Sequence, residues 1–90
     1  MARKRERLEV IRDILNSIRN NREIKPTRLL YASNLSPQMF KDYVDELLEK
    51  DFVSLEITPK GKKFFKLNKR GNAFLEEYKL IENFVENFGL

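Results

Sequence analysis

The amino-acid sequence predicts a mostly α-helical domain with one small β-hairpin and a long C-terminal helix. Three observations carry that expectation. Apolar residues recur at helical spacing in four separate stretches. Between them, residues 53–67 switch to a period of two around a Pro-Lys-Gly turn. Finally, Ser36-Pro37 marks a helix start directly after another short helix, since serine caps free N–H groups and proline suits the first helical position.

The first helix covers residues 6–20, with Leu8, Ile11, Ile14, Leu15 and Ile18 on one face. Arg12 and Arg19 fall between the apolar positions and are expected to face water. Asn20-Asn21 is expected to end the helix, because asparagine tolerates a left-handed C-cap. Residues 22–25 read as a connector that Ile24 could anchor to the core. Pro26-Thr27 can start a short helix carrying Leu29, Leu30 and Ala32, and Asn34-Leu35 forms the turn after it. The next helix carries Phe40, Val44, Leu47 and Leu48 at i, i+4, i+7 and i+8 and should end near Lys50-Asp51. Helix, tight turn and capped second helix are the pattern of a DNA-reading unit.

Val53, Leu55 and Ile57 alternate on one strand, and Phe65 and Leu67 face inward from the returning strand. Pro59-Lys60-Gly61 turns between them, with Gly61 accepting a positive φ. The result is a two-stranded hairpin with a lysine-rich tip, and a hairpin in this position is a wing. Asn68 is expected to cap the last helix, which covers residues 69–88 and stops before Gly89. Phe74, Tyr78, Ile81, Val85 and Phe88 step by +4, +3, +4, +3 along it, a narrow heptad seam, with Leu75, Leu80 and Phe84 outside. Either this helix lies wholly on the core or its seam meets a second chain. The second is expected, because its distal half runs beyond the body of so small a domain. The chain then divides into a winged helix-turn-helix domain, residues 1–68, and a dimerisation helix, residues 69–90.

Ninety residues suit one domain. The chain has no cysteine, which excludes disulfides, thiolate metal sites and a cysteine nucleophile. It has no histidine, the commonest metal ligand and general base. With no glycine-rich phosphate loop either, no catalytic constellation assembles, and neither an enzyme nor a cofactor is expected. No apolar run approaches the roughly 20 residues of a membrane span, and the N-terminus lacks the apolar core of a signal peptide, so the cytoplasm is the default.

The net charge of +4 is unevenly placed. Residues 1–28 hold nine Lys/Arg against four Asp/Glu, and residues 59–71 hold six against none. Residues 29–58 hold two against six, and residues 72–90 one against four. Duplex DNA is the obvious partner for such segregated positive charge. The Arg3, Lys4, Arg5, Arg7 cluster could reach phosphates or serve as a solubilising tail.

The run RLEVIRDIL, then KPTRLLYASNLSPQMFKDYVDELLEKDFV, then FFKLNKRGNAFLEEY resembles the archaeal winged helix-turn-helix regulators. These are small basic proteins, some of chromatin type, with a long C-terminal helix that dimerises as an antiparallel coiled coil. The resemblance covers almost the whole chain. Two positions depart from the family pattern: Asp51 replaces a usual glycine and Asn68 a usual threonine. Aspartate can still hold a left-handed C-cap, and asparagine is as good a cap.

The resemblance implies a nucleoid-associated homodimer that binds double-stranded DNA through the N-terminal end of its second helix. Ser36, Gln38, Met39 and Lys41 are exposed there, with Asp42 beside them. Gln38 can pair with adenine edges and Lys41 can reach guanine or phosphate. Thr27 and Arg28 would touch backbone beside the groove, and Lys60, Lys62 and Lys63 on the wing would add phosphate contacts. Asp42, Asp45, Glu46 and Glu49 on the same helix would repel phosphate unless they point away or meet a basic surface. A second function class therefore stays open, a winged-helix module that binds another protein instead of DNA.

Overall fold

The computed structural model describes residues 6–90, so Arg3, Lys4 and Arg5 lie outside the described residues. Seven elements follow in order: α1 (Arg7–Asn21), β1 (Glu23–Ile24), α2 (Pro26–Ser33), α3 (Pro37–Glu49), β2 (Val53–Ile57), β3 (Lys63–Leu67) and α4 (Lys69–Asn87). This is a winged helix-turn-helix.

The core forms where the apolar faces of the helices meet one face of the sheet. Ile14, Leu15 and Ile18 of α1, Leu29 of α2 and Leu47 of α3 are essentially shielded from solvent. Val53, Phe65, Ile24 and Leu75 close the cluster, and Phe40, Tyr43, Leu48, Phe52, Leu67 and Phe74 pack around it. Each buried aliphatic side chain is worth about 1.5–3 kcal/mol of transfer free energy. In α1, Val10 takes a core position while Leu8 stays half exposed, lining an open cleft with Ile81 and Val85 of α4.

The helix ends obey local chemistry. The Ser36 hydroxyl accepts from the Met39 amide at 3.3 Å, and Pro37 occupies the first helical position. Asn34 takes the left-handed conformation that turns α2 into α3, with φ 57° and ψ 32°. At the end of α3, Asp51 has φ 62°. Its amide donates to the Leu48 carbonyl at 3.1 Å, and the Phe52 amide donates to that of Leu47 at 2.9 Å. This pair of bonds is a Schellman motif, with aspartate where glycine is usual.

Several expectations are corrected. The wing belongs to a three-stranded antiparallel sheet of order β1-β3-β2, not a two-stranded hairpin. The connector supplies the third strand: Glu23 pairs with Lys66 and Ile24 with Phe65. Two residues are too short to show an alternating pattern, yet their backbone groups complete the free edge of β3. Helix α1 continues through Asn21, whose side-chain amide donates to the Ser17 carbonyl at 2.7 Å, and Arg22 takes the positive φ.

Arg12 does not simply face water. Its guanidinium lies 5.3 Å from the Tyr78 ring centre and bonds Glu82 at 2.7 Å, tying α1 to α4. Arg19 repeats the tie to Glu76 at 3.0 Å. Asn68 stands at the N-cap position but makes no side-chain cap bond. Its amide donates to the Asp51 carboxylate at 2.9 Å, and its oxygen accepts from the Ser54 hydroxyl at 2.9 Å. That side chain fastens the α3–β2 corner to the start of α4.

Gly71 lets α4 begin against this corner. A Cβ there would meet the Phe52 carbonyl oxygen at 2.4 Å and the Leu67 side chain at 2.7 Å. The first turns of α4 thereby join the core through Leu75 and Phe74, and Tyr78 stacks on Phe74 with ring centres 5.8 Å apart. The rest of α4 is mostly exposed, with Glu82 held to Arg12 of α1, and the molecule measures 50 × 31 × 21 Å.

Candidate nucleic-acid interface

One edge of the molecule gathers cations that form no ion pair among the described residues. Lys25 and Arg28 stand where α2 begins, and Lys62 and Lys63 where β3 begins. Together with Glu23, Thr58 and Phe64 they line an open cleft of about 290 Å³. Lys60 occupies the turn itself, where the Gly61 amide donates to the Thr58 carbonyl at 2.8 Å and Gly61 adopts φ 83°. The Lys62 amide donates to the Thr58 hydroxyl at 3.1 Å, which fixes the base of the tip. Among the described residues, Lys25, Arg28, Lys60, Lys62 and Lys63 form no ion pair. With five such cations against the Glu23 carboxylate that lines the cleft, this edge keeps a net positive field for an anion.

The fold thus brings the expected Arg28, Lys62 and Lys63 into one cleft, with Thr27 exposed beside Arg28 on the first turn of α2. Lys25 was missed by the sequence reading. Its signal was present, since a basic residue directly before a helix-starting proline shares that helix's amino-terminal end.

The outward face of α3 is chemically different. Gln38, Met39, Lys41, Asp42, Asp45 and Glu49 are exposed there, opposite buried Val44 and Leu47. Lys41, Asp45 and Glu46 of that helix hold ion pairs, while Asp42 and Glu49 hold none among the described residues. The Gln38 amide donates to Asp42 at 3.0 Å, and the Lys41 ammonium pairs with Asp45 at 2.6 Å. Glu46 receives the Arg7 guanidinium from α1 and the Lys50 ammonium at 2.8 Å. The hydrogen bond from Arg7, then that from Lys50, holds the Glu46 carboxyl down to about 2. Its bond to Asp45 raises the Lys41 ammonium above its usual value. The Ser36 hydroxyl is committed to the helix cap. Arg7, alone of the expected N-terminal cluster among the described residues, turns to a protein carboxylate.

Along α4 the expected seam divides. Phe74 packs on the chain's own core and Tyr78 lies under Arg12. Beyond them Leu80, Ile81, Phe84, Val85 and Phe88 are exposed. The outward apolar face therefore takes in Leu80 and Phe84, which the +4, +3 spacing left outside, and Phe84 and Phe88 touch with ring centres 4.7 Å apart. No helix among the described residues is long and apolar enough to cross a membrane.

Comparison with known proteins agrees with this architecture. A winged helix-turn-helix family model matches residues 4–86. Two uncharacterised proteins of Methanocaldococcus jannaschii, MJ0290 and MJ0287, are 35% identical over 63 residues and 39% identical over 67. The alignments take in 64% and 69% of this chain, and they span 29% of the first relative and 68% of the second. Among solved structures, Sso10a-2, a DNA-binding protein from Sulfolobus solfataricus, superposes with a TM-score of 0.76 at 18% identity, covering 93% of this chain and 85% of that one. A cysteine-to-serine mutant of MarR from E. coli, complexed with operator DNA, superposes with a TM-score of 0.66 at 26% identity, covering 74% and 49%. A MarR family transcriptional regulator from Silicibacter pomeroyi DSS gives 0.73 at 22%, covering 91% and 58%.

Proposed function

Since the chain belongs to the winged helix-turn-helix family, we propose that it binds double-stranded DNA as a homodimer, as a transcription regulator or an architectural chromatin factor of the nucleoid. The observation that carries this reading is the edge of unpaired cations: Lys25, Arg28, Lys60, Lys62 and Lys63. Those side chains would neutralise phosphates along one face of the duplex and fix its register, with α3 brought to the major groove amino end first. Thr27 would add a backbone contact from α2. Gln38, Met39 and Lys41 would meet base edges, and the capped amino end of α3 at Ser36 would face a phosphate.

Dimerisation would use the distal face of α4, centred on Ile81, Phe84, Val85 and Phe88, with Tyr78 at its margin. Phe74 would support the interface from within its own chain. Two copies would place two wings on one duplex, doubling the phosphate contacts. The acidic outward face of α3 supports a second reading, a module that docks on a basic protein surface.

Titration against a random-sequence duplex at two salt concentrations tests the proposal. The expected result is tight binding at low salt that weakens steeply as salt rises, with a log–log slope of about −0.9 per phosphate contacted. Absence of binding at low salt would refute it and turn attention to a protein partner. Sedimentation tests the assembly. Changing Ile81 and Val85 to aspartate is expected to halve the mass, and an unchanged mass would refute dimerisation through α4.

A further inference from the structure

The carboxylates of α3 are neutralised unequally. Asp45 is paired with Lys41 at 2.6 Å, and Glu46 with Arg7 and with Lys50 at 2.8 Å. Glu49 sits in the last turn, away from the amino end. Asp42 is different: it lies in the second turn, exposed, and forms no ion pair among the described residues. Its partner is the neutral side-chain amide of Gln38, at 3.0 Å to one carboxylate oxygen. The other oxygen has no bonded partner among the described residues, so an acceptor with a full charge stands on the outward face of the helix end that would enter a groove.

A lone carboxylate in that place discriminates strongly. Phosphates repel it, and so do the N7 and O6 acceptors of guanine and the O4 of thymine. The N4 amino group of cytosine is a pure donor on the major-groove edge, and carboxylates accept from it. Resting on the DNA-binding reading above, we infer that Asp42 is a specificity-determining residue that selects cytosine, and rejects guanine, at one position of the site. Gln38 holds the carboxylate in place and keeps its own oxygen as a second acceptor. The affinity comes from the wing edge, and Asp42 trades part of it for selection.

Selection from a pool of duplexes with a randomised core tests this, using the full chain and its Asp42→Ala and Asp42→Asn variants. Wild type is expected to prefer cytosine over guanine at one position by about fivefold or more, the lower range for one good base contact. Asp42→Ala should lose that preference while binding a random duplex more tightly, since one repelling charge is gone. Asp42→Asn preserves the shape and the Gln38 partner but adds a donor, and should move the preference towards a base with a major-groove acceptor. Circular dichroism melts check that each variant folds, and Asp42→Asn serves if Asp42→Ala does not. The inference is overturned if wild type binds duplex with no cytosine preference, or if the preference survives in both variants. Failure of wild type to bind any duplex would overturn the DNA-binding reading itself, along with this one.

Discussion

Two groups of cations in this molecule stand in opposite circumstances, while Arg22, Lys66, Lys69, Arg70 and Lys79 outside both groups also form no ion pair among the described residues. Beside the wing, Lys25, Arg28, Lys60, Lys62 and Lys63 hold no carboxylate among the described residues. Along α1 and α3, Arg7, Arg19, Lys41 and the capping Lys50 are each spent on one carboxylate, and Arg12 on two, Asp13 and Glu82. The first group keeps its field for an outside anion. The second neutralises Asp45 and Glu46 of α3 and straps α1 to α4. Counting lysines and arginines does not separate the two groups, because pairing decides which charges remain available. The helix that would read the duplex still carries the unpaired carboxylates Asp42 and Glu49 among the described residues, so the force that would hold a polyanion comes from the wing edge.

The largest effect should come from the wing. Changing Lys60, Lys62 and Lys63 to glutamate is expected to weaken duplex binding by at least about a hundredfold at 0.1 M salt, through the loss of three phosphate contacts. The melting temperature should barely move, because all three side chains are exposed. A competition binding curve and a thermal melt check both halves. Next come Lys25→Ala and Arg28→Ala, each expected to cost about eightfold under the same conditions, the share of one phosphate contact. Should Lys25→Ala bind like wild type, the cleft is not one continuous phosphate seat.

A smaller effect sharpens the contrast from the paired side. Arg7→Gln leaves Glu46 with Lys50 alone, and duplex affinity should fall by on the order of threefold, the scale of one exposed charge pair. The double variant Arg7→Gln/Glu46→Gln should recover wild-type affinity, because the exposed acid is gone with its mask. If the double variant stays weak, Arg7 touches DNA itself.

The smallest effect is a pH dependence. The Glu46 carboxyl is held down to about 2, from an ordinary value near 4.5, chiefly by the bond from Arg7 and then by Lys50. A depressed carboxylate stabilises the fold above its unfolded value and loses that contribution as pH falls through its folded value. Wild type should therefore melt above Glu46→Gln at pH 7, and the gap should close as pH falls from about 4.5 towards 2. A gap that persists at pH 2 would show that Glu46 acts through packing instead.

Much of the fold was legible because it rests on local rules. The Ser36-Pro37 start, the left-handed Asn34, the Pro59-Lys60-Gly61 turn and the alternating Val53, Phe65 and Leu67 each follow from a few neighbouring residues. The aspartate cap at Asp51 was legible for the same reason. What escaped depends on partners distant in sequence. Arg7 meets Glu46 across 39 residues, and Arg12 meets Glu82 across 70. Asn68 was read as a cap from its position, but its side chain reaches back 17 residues to Asp51. Strand β1 exists because β3 offered it an edge. The α4 seam was spaced correctly as a helix pattern, yet its first members turn to the chain's own core, and only the three-dimensional placement of Gly71 and Leu75 reveals where the outward face begins.

The central claim is that the unpaired wing edge, and not α3, supplies the phosphate-driven affinity. The salt dependence of duplex binding, compared between the Lys60/Lys62/Lys63 glutamate variant and Lys41→Ala, tests it most directly. The wing variant should flatten the log–log slope by about 2.7, at 0.9 per contact, while Lys41→Ala leaves it nearly unchanged. A slope that survives loss of the wing lysines, or that falls by about 0.9 with Lys41 alone, would contradict the account.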